Sequence, residues 1–220
     1  ETMKVVLIGG SGATGRALVQ LMLKCDKITE IIVLLRRISF EEHTKLAQVI
    51  VDFDHLTDFE QHIQGDIAIS CLGTTLKDAG SKEAQWKIDH DINLQFAALA
   101  KKNGLPTFML LSAVHADPDS KIFYNRMKGS LEQDVKALDF NRLIIVQPGA
   151  LIRPNTDRLG EKAAITALRI FNKIGLLKAY QALSVAQVAN AMLQAINHYM
   201  EGNHTLTVEE IKKLSAETIA

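Results

Sequence analysis

Three side chains of the types used for proton transfer lie close together in the sequence. Tyr124 and Lys128 are four residues apart in the segment Tyr-Asn-Arg-Met-Lys, a spacing that places two side chains on one face of an α-helix. An ammonium group beside a phenol stabilises the phenolate, so Tyr124 is a candidate acid and base. Ser112 precedes Tyr124 by twelve residues and is expected to hydrogen-bond a substrate carbonyl.

A glycine-rich turn is the strongest signal in the chain. The segment Gly9-Gly10-Ser11-Gly12-Ala13-Thr14-Gly15 lies between a predicted strand and a predicted helix and contains no P-loop lysine. Glycines permit a sharp turn and close approach of the backbone to a pyrophosphate. The helix N-terminus adds N–H donors and the positive end of its dipole. We therefore predict a dinucleotide site here; the alternative is a glycine-rich turn that binds no ligand.

The end of the second predicted strand bears on which nicotinamide cofactor is bound. Sites that prefer NAD usually place Asp or Glu there, about 20 residues after the glycines, whereas this chain has Arg36 and Arg37. A guanidinium can pair with a 2′-phosphate that a carboxylate would repel, and Arg16 is placed to assist. NADP(H) is therefore favoured over NAD(H), unless the arginines are solvated loop charges.

Other predicted strand ends complete the expected nucleotide site. Asp52 and Phe53 either border the adenine or are an ordinary strand-end aspartate and a core phenylalanine. Gly73 would let the backbone approach the ribose and phosphates. The full set of expected cofactor contacts is Gly9, Ser11, Gly12, Ala13, Thr14, Gly15, Arg36, Arg37, Asp52, Phe53, Leu72, Gly73, Thr74, Tyr124, Lys128, Pro148 and Gly149.

Short apolar strands and amphipathic helices alternate along the chain and would position these residues. Strands are predicted at 3–9, 30–36, 45–52, 66–72, 107–112 and 142–147, with helices near 13–25, 81–103 and 120–138. This alternation is typical of an α/β fold of Rossmann type, a doubly wound parallel sheet with helices on both faces.

The alternation weakens after Pro148. Helices are predicted at 157–173 and 184–200, followed by a strand at 205–208 and a terminal helix. We interpret residues 1–220 as a single domain in which residues from about 151 to 220 form a small C-terminal lobe that covers the substrate.

Composition argues against several other classes of protein. Lys and Arg together number 25, and so do Asp and Glu, so no basic surface for nucleic acid is expected. The sequence has no apolar run long enough to span a membrane, and its histidines and cysteines lack zinc-site spacing. Two unpaired cysteines and the lack of a signal peptide predict a cytoplasmic protein.

Taken together, these motifs resemble the short-chain dehydrogenase/reductase family, in an atypical form of its extended type. The chain is particularly similar to the group that contains the human HIV Tat-interacting protein 2 and its small bacterial relatives. The segments that carry the resemblance are Gly9-x-x-Gly12-x-x-Gly15-Arg16, Leu35-Arg36-Arg37, Val51-Asp52-Phe53, Cys71-Leu72-Gly73-Thr74-Thr75, Leu111-Ser112, Tyr124-x-x-x-Lys128-Gly129 and Gln147-Pro148-Gly149.

The resemblance implies that Ser112, Tyr124 and Lys128 form the catalytic group. Tyrosine is the general acid in reduction in this family, and lysine binds the nicotinamide ribose and makes the tyrosine a stronger acid. Many extended members carry an asparagine early in the fourth helix. The best match here is Asp89, with Asn93 nearby but out of register.

Two functions follow as expectations. The first is an NADP(H)-dependent oxidoreductase that acts on a small carbonyl or alcohol compound. The second is an NADP(H)-binding regulatory or sensor protein with little turnover, for which a protein partner would be expected. The sequence identifies neither the substrate nor the oligomeric state.

Overall fold

A seven-stranded parallel sheet forms the centre of the fold, with the strand order β3-β2-β1-β4-β5-β6-β9. The computed structural model describes residues 2–149, 151–152 and 183–216. The strands of the main sheet are β1 (Met3–Ile8), β2 (Ile28–Leu35), β3 (Leu46–Ile50), β4 (Ile67–Ser70), β5 (Thr107–Leu111), β6 (Arg142–Val146) and β9 (Gly202–Leu206). A separate two-stranded parallel sheet pairs β7 (Leu151–Ile152) with β8 (Leu183–Ser184).

The strand order confirms the predicted fold class. The order in which strands are added reverses at β1, because β2 and β3 lie on one side of it and β4, β5 and β6 lie on the other. Val5, Val6, Leu7 and Ile8 are all buried, as expected of a parallel strand covered on both faces. Ligands of doubly wound sheets bind at the carboxyl ends of the strands where the order reverses, which here means the ends of β1 and β4.

Helices cover both faces of the sheet. On one face, Leu18 and Met22 of α1 (Ala13–Leu23) share a buried cluster with Val188 and Met192 of α6 (Val185–His198). On the other face, Phe96 of α4 packs with residues of β5 and α5. The helices are α1 (Ala13–Leu23), α2 (Leu76–Ala79), α3 (Lys82–Trp86), α4 (Asn93–Lys102), α5 (Phe123–Lys136), α6 (Val185–His198) and α7 (Val208–Ser215).

The predicted long helix over 81–103 is interrupted. Ser81 caps its start by accepting a hydrogen bond from the Ala84 N–H, but a π-helical turn (Lys87–Ile92) separates α3 from α4. The buried Asn93 amide donates to the carbonyls of Ile88 and Asp89. A side chain that occupies these acceptors competes with the regular helical hydrogen bonds, which accounts for the local change to π geometry.

The described C-terminal residues extend the main sheet. The helix predicted at 184–200 is α6, with Ser184 as its N-cap and Gln187 completing a capping box. The strand predicted at 205–208 lies at 202–206, where it pairs with β6 as a seventh strand. The helix predicted at 157–173 lies outside the described residues, so the substrate-covering lobe stays a prediction. No described helix has the length and apolar character needed to cross a membrane.

Candidate functional site

A cleft of about 670 Å³ opens at the carboxyl ends of the central strands. Its walls come from the start of α1, the loops that follow β4, β5 and β6, and the first turns of α5. It brings together eleven of the residues singled out from the sequence, namely Gly12, Ala13, Thr14, Leu72, Gly73, Thr74, Ser112, Tyr124, Lys128, Pro148 and Gly149.

The glycine-rich turn has three structural glycines, Gly9, Gly10 and Gly15, and one that faces the cleft. A Cβ atom at Gly10 would lie 2.7 Å from Val33 Cγ1. Gly9 has φ +77°, and a Cβ atom there would lie 2.2 Å from the Cys71 carbonyl carbon. A Cβ at Gly15 would lie 2.1 Å from the Gly9 oxygen. A Cβ at Gly12, in contrast, would be 3.5 Å from the same oxygen, an ordinary contact. The protein's own packing therefore leaves room at Gly12 for another group.

The start of α1 is suited to an anion. Its N-cap residue, Gly12, supplies no side-chain hydrogen bond, and the first turn contains no acidic residue. Ser11 is exposed beside it. Since the first N–H groups of a helix have no acceptor within the helix, this end offers donors together with the positive end of the helix dipole. These features fit the diphosphate of a dinucleotide.

The other predicted cofactor residues lie outside the cleft walls. Arg36 and Arg37 are exposed just after β2. Arg16 binds the loop that follows them, because its Nη1 donates to the Ser39 carbonyl at 2.8 Å and its guanidinium lies 4.7 Å from the centre of the Phe40 ring. The loop next to the two arginines is thus held against the start of α1.

Asp52 and Phe53 follow β3 and have structural contacts. The Asp52 carboxylate accepts hydrogen bonds from the Asp54 N–H at 2.9 Å and from His55 Nδ1 at 2.8 Å. These hydrogen bonds, His55 first, lower the pKa of Asp52. Phe53 is partly buried against the core. Asp52 therefore caps the 3-10 helix (Phe53–His62) that follows β3, Phe53 packs on the core, and the structure does not bring either residue to the cleft.

Lys128 is held by a buried aspartate. Its Nζ lies 3.1 Å from Asp89 Oδ1 and 5.7 Å from the centre of the Tyr124 ring, which confirms that Tyr124 and Lys128 share one face of α5. Burial by itself would lower the pKa of Lys128. The negative charge that Tyr124 carries once it is deprotonated, the charge and hydrogen bond of Asp89, and the charge of Glu132 together outweigh burial and raise it, so the lysine stays protonated.

Asp89 lies in the π-helical turn and is almost completely buried, at 1% exposure. Its Oδ2 accepts a hydrogen bond from the Thr74 N–H at 2.9 Å. Burial raises the pKa of Asp89, and the opposing effects of Lys128 and the Thr74 N–H offset this only in part. Asp89 therefore joins the loop after β4 to the lysine of α5.

Ser112 has a carboxylate partner that the sequence analysis missed. Its Oγ lies 2.5 Å from Glu132 Oε1, and Glu132 also accepts hydrogen bonds from Gln147. Glu132 follows Lys128 by four residues and Tyr124 by eight. The same helical spacing that identified the first two residues would have placed it on their face.

Comparison with known proteins points to nucleotide binding. A family described as NAD(P)H-binding matches residues 9–199 of this chain. Protein FMP52, mitochondrial, from Saccharomyces cerevisiae is 34% identical over 171 residues, which cover 75% of this chain and 74% of that protein. FMP52 from Meyerozyma guilliermondii is 38% identical, with coverage of 68% and 66%. Protein HTATIP2 from Rattus norvegicus is 35% identical, with coverage of 69% and 64%. The matched segments span about two thirds to three quarters of these relatives.

Solved structures share the fold. The Bordetella bronchiseptica enzyme WbmH in complex with NAD⁺ superposes with a TM-score of 0.71 at 14% identity, over 94% of this chain and 76% of that one. The UDP-N-acetylglucosamine 4-epimerase from Methanobrevibacter ruminantium has a TM-score of 0.70 at 14% identity, over 94% and 77%. At such low identity the similarity concerns the Rossmann-type architecture alone.

The names of the sequence relatives contradict the predicted cytoplasmic location, so that prediction is wrong. The FMP52 relatives from Meyerozyma guilliermondii, Saccharomyces cerevisiae and Emericella nidulans are all named as mitochondrial proteins. Unpaired cysteines indicate a reducing compartment, and that property does not distinguish the cytosol from the interior of an organelle.

Proposed function

Since this chain belongs to the family of NAD(P)H-binding Rossmann-fold proteins that includes FMP52 and HTATIP2, we propose that it is an NADP(H)-dependent oxidoreductase acting on a small carbonyl or alcohol compound. The observation that carries the proposal is the cleft itself. Its lining residues include Tyr124, Lys128 and Ser112 together with Gly73 and the first residues of α1, which supports the proposal. A dinucleotide site and a proton-transfer group are thus adjacent.

Residues of this chain are available for three parts of the cofactor. The N–H groups at the start of α1 would bind the diphosphate, and Arg36 and Arg37 would pair with the 2′-phosphate. Lys128 would donate to the hydroxyls of the nicotinamide ribose. When bound, the nicotinamide supplies or accepts a hydride.

Proton transfer is assigned to Tyr124. Its side chain lines the cleft and remains 40% exposed, so its hydroxyl is accessible to a substrate. In reduction Tyr124 gives its proton to the carbonyl oxygen and becomes a phenolate. The protonated Lys128 nearby stabilises that negative charge, and Asp89 keeps the lysine in position.

Two measurements test the proposal. Titration of NADPH fluorescence measures binding, and NADPH oxidation against a panel of aldehydes and ketones measures turnover. Tyr124→Phe should keep NADPH affinity and reduce turnover on the order of 10²- to 10⁴-fold, the usual contribution of a general acid. The matched control is Tyr199→Phe, which removes a tyrosine hydroxyl elsewhere and should leave turnover unchanged. The Tyr199 ring stacks on His204, with 4.5 Å between the ring centroids.

Each contrary outcome has a definite meaning. Saturable turnover that survives Tyr124→Phe would remove this tyrosine from the mechanism. Tight NADPH binding without turnover on any panel member would replace the enzyme by a nucleotide-binding regulatory protein.

A further inference from the structure

Glu132 is a buried acidic side chain to which the function proposed above gives no role in binding or proton transfer. We propose that it is a positioning residue that accepts a hydrogen bond from the Ser112 hydroxyl. Ser112 then presents only hydrogen-bond acceptors to the cleft. The hydrogen bond between Ser112 and Glu132 can be tested without any reaction. Its effect on how Ser112 binds a substrate rests on the proposed function.

The first observation is the contact between the two side chains. Ser112 Oγ lies 2.5 Å from Glu132 Oε1, and each residue is 6% exposed. Ser112 lines the cleft, and Glu132 lies behind it, outside the cleft walls. An O–H···O distance this short is typical of a hydroxyl that donates to an ionised carboxylate.

The second observation is how Gln147 binds the same carboxylate. Gln147 Nε2 donates to Glu132 Oε1 at 2.9 Å and to Oε2 at 3.1 Å. An amide nitrogen can only donate, so both carboxylate oxygens act as acceptors. If the Ser112 hydroxyl donates as proposed, Glu132 accepts three hydrogen bonds, as an ionised carboxylate does.

The fold places these three residues together. Ser112 and Gln147 directly follow the paired residues Leu111 and Val146 at the ends of β5 and β6, and the Ser112 N–H donates to the Val146 carbonyl at 2.8 Å. Glu132 reaches them from α5, two helical turns after Tyr124. Two adjacent strands and the catalytic helix therefore fix the orientation of one hydroxyl.

This orientation determines what Ser112 can bind. A hydroxyl has one proton and two lone pairs, and with the proton directed to Glu132 only lone pairs face the cleft. A carbonyl oxygen is also an acceptor, so Ser112 cannot hydrogen-bond it in the way that the sequence suggested. Ser112 instead accepts a hydrogen bond from the Tyr124 hydroxyl or from the hydroxyl of an alcohol.

Infrared spectroscopy of the protein without cofactor or substrate tests the arrangement. The wild-type minus Glu132→Gln difference spectrum should contain the antisymmetric stretch of a carboxylate and no C=O stretch of a carboxylic acid. Ser112→Ala, which removes only the hydroxyl, should shift the same carboxylate band because one strong donor is lost. Glu30→Gln, on β2 on the far side of β1 from Ser112, should give a carboxylate band that Ser112→Ala does not affect.

Two spectroscopic results would overturn the proposal. Loss of a carboxylic-acid C=O stretch in Glu132→Gln would mean that Glu132 donates to Ser112. A Glu132 carboxylate band unchanged by Ser112→Ala would mean that the two groups do not share a hydrogen bond in solution. Neither result depends on turnover, so both are distinct from failure of the proposed oxidoreductase function.

Kinetics on a carbonyl substrate from the panel give a second readout. Glu132→Gln keeps the shape of the side chain but removes the strong acceptor, so kcat should fall on the order of 10²-fold, as for a misplaced catalytic group. NADPH affinity and KM should change little. Equal losses in kcat and in NADPH affinity would assign Glu132 a general structural role and contradict the positioning role.

Discussion

Lys128 Nζ lies 3.1 Å from Asp89 Oδ1, and the two residues are only 4% and 1% exposed. A buried ammonium group is costly unless a charge of opposite sign accompanies it. Asp89 provides that charge and also binds the Thr74 N–H. One carboxylate thus connects the π-helical turn, the loop after β4 and α5.

Removal of this carboxylate should destabilise the fold. Asp89→Ala leaves Lys128 buried without a counter-charge, and breaking a buried pair in this way typically costs about 3–5 kcal/mol. Urea unfolding at neutral pH measures the change in the free energy of unfolding. Asp26→Ala, at an exposed position, is the control and should have little effect. A loss for Asp89→Ala no larger than that of the control would show that Lys128 is stabilised in another way.

Asp89 should also make stability depend on pH in the acid range. Burial raises its pKa above the ordinary value of 3.8 in the folded protein. A carboxyl group whose pKa is raised by folding stabilises the fold fully below its unfolded pKa, and this contribution is lost as the pH rises through the folded pKa. The wild type should therefore lose stability relative to Asp89→Asn as the pH rises from 3.8 towards neutrality.

Urea unfolding of both proteins at a series of pH values measures this difference. The variant has no titrating group at position 89, so other carboxyl groups contribute equally to the two curves. Parallel curves across the acid range would contradict a raised pKa for Asp89.

Local signals account for what the sequence predicted correctly. Each correct prediction depends on a pattern within a short segment of sequence: the glycine-rich turn, the strand ends and the Tyr124–Lys128 spacing. The parallel topology then brings the carboxyl ends of β1, β4, β5 and β6 to one edge. Because the sheet performs that assembly, segments far apart in sequence could be assigned to one cleft without knowledge of their contacts.

Contacts between elements account for what the sequence missed. The partnership of Ser112 with Glu132 depends on how α5 packs behind β5, and no local pattern shows that packing. Nor does a local pattern show the π-helical turn (Lys87–Ile92) that interrupts the predicted helix. Asp89 within it contacts Lys128, and Asn93 just after it donates to backbone carbonyls, including that of Leu72.

The exposed arginine pair gives a test of cofactor preference. Arg36→Asp should weaken NADPH binding roughly 10- to 100-fold, the range expected when a charge-assisted hydrogen bond to the 2′-phosphate is lost. NADH lacks that phosphate and should bind almost as before. Fluorescence titration with both nucleotides measures the two dissociation constants.

Lys27→Asp makes the same change of charge at an exposed position before the amino end of β2, so it controls for the general electrostatic effect. Equal losses for NADPH and NADH in Arg36→Asp would remove the arginine from phosphate recognition. A loss of NADPH affinity in Lys27→Asp as large as that in Arg36→Asp would have the same meaning.

Two alanine substitutions in the glycine-rich turn should separate folding from binding. A Cβ at Gly15 would lie 2.1 Å from the Gly9 oxygen, and the backbone must move to relieve that contact. Gly15→Ala should therefore lower the free energy of unfolding by about 1–3 kcal/mol or more, as overpacking does. A Cβ at Gly12 would meet its nearest atom at 3.5 Å, and the Gly12 φ of −73° suits alanine.

Gly12→Ala should accordingly keep the stability of the wild type and lose cofactor affinity by roughly tenfold or more, because the methyl group would occupy the space through which the backbone approaches a diphosphate. Urea unfolding and NADPH fluorescence titration of the same preparations supply both quantities. If Gly12→Ala binds NADPH as tightly as the wild type does, the diphosphate does not lie against the start of α1. The enzyme and the regulatory interpretations would then both lose their cofactor site.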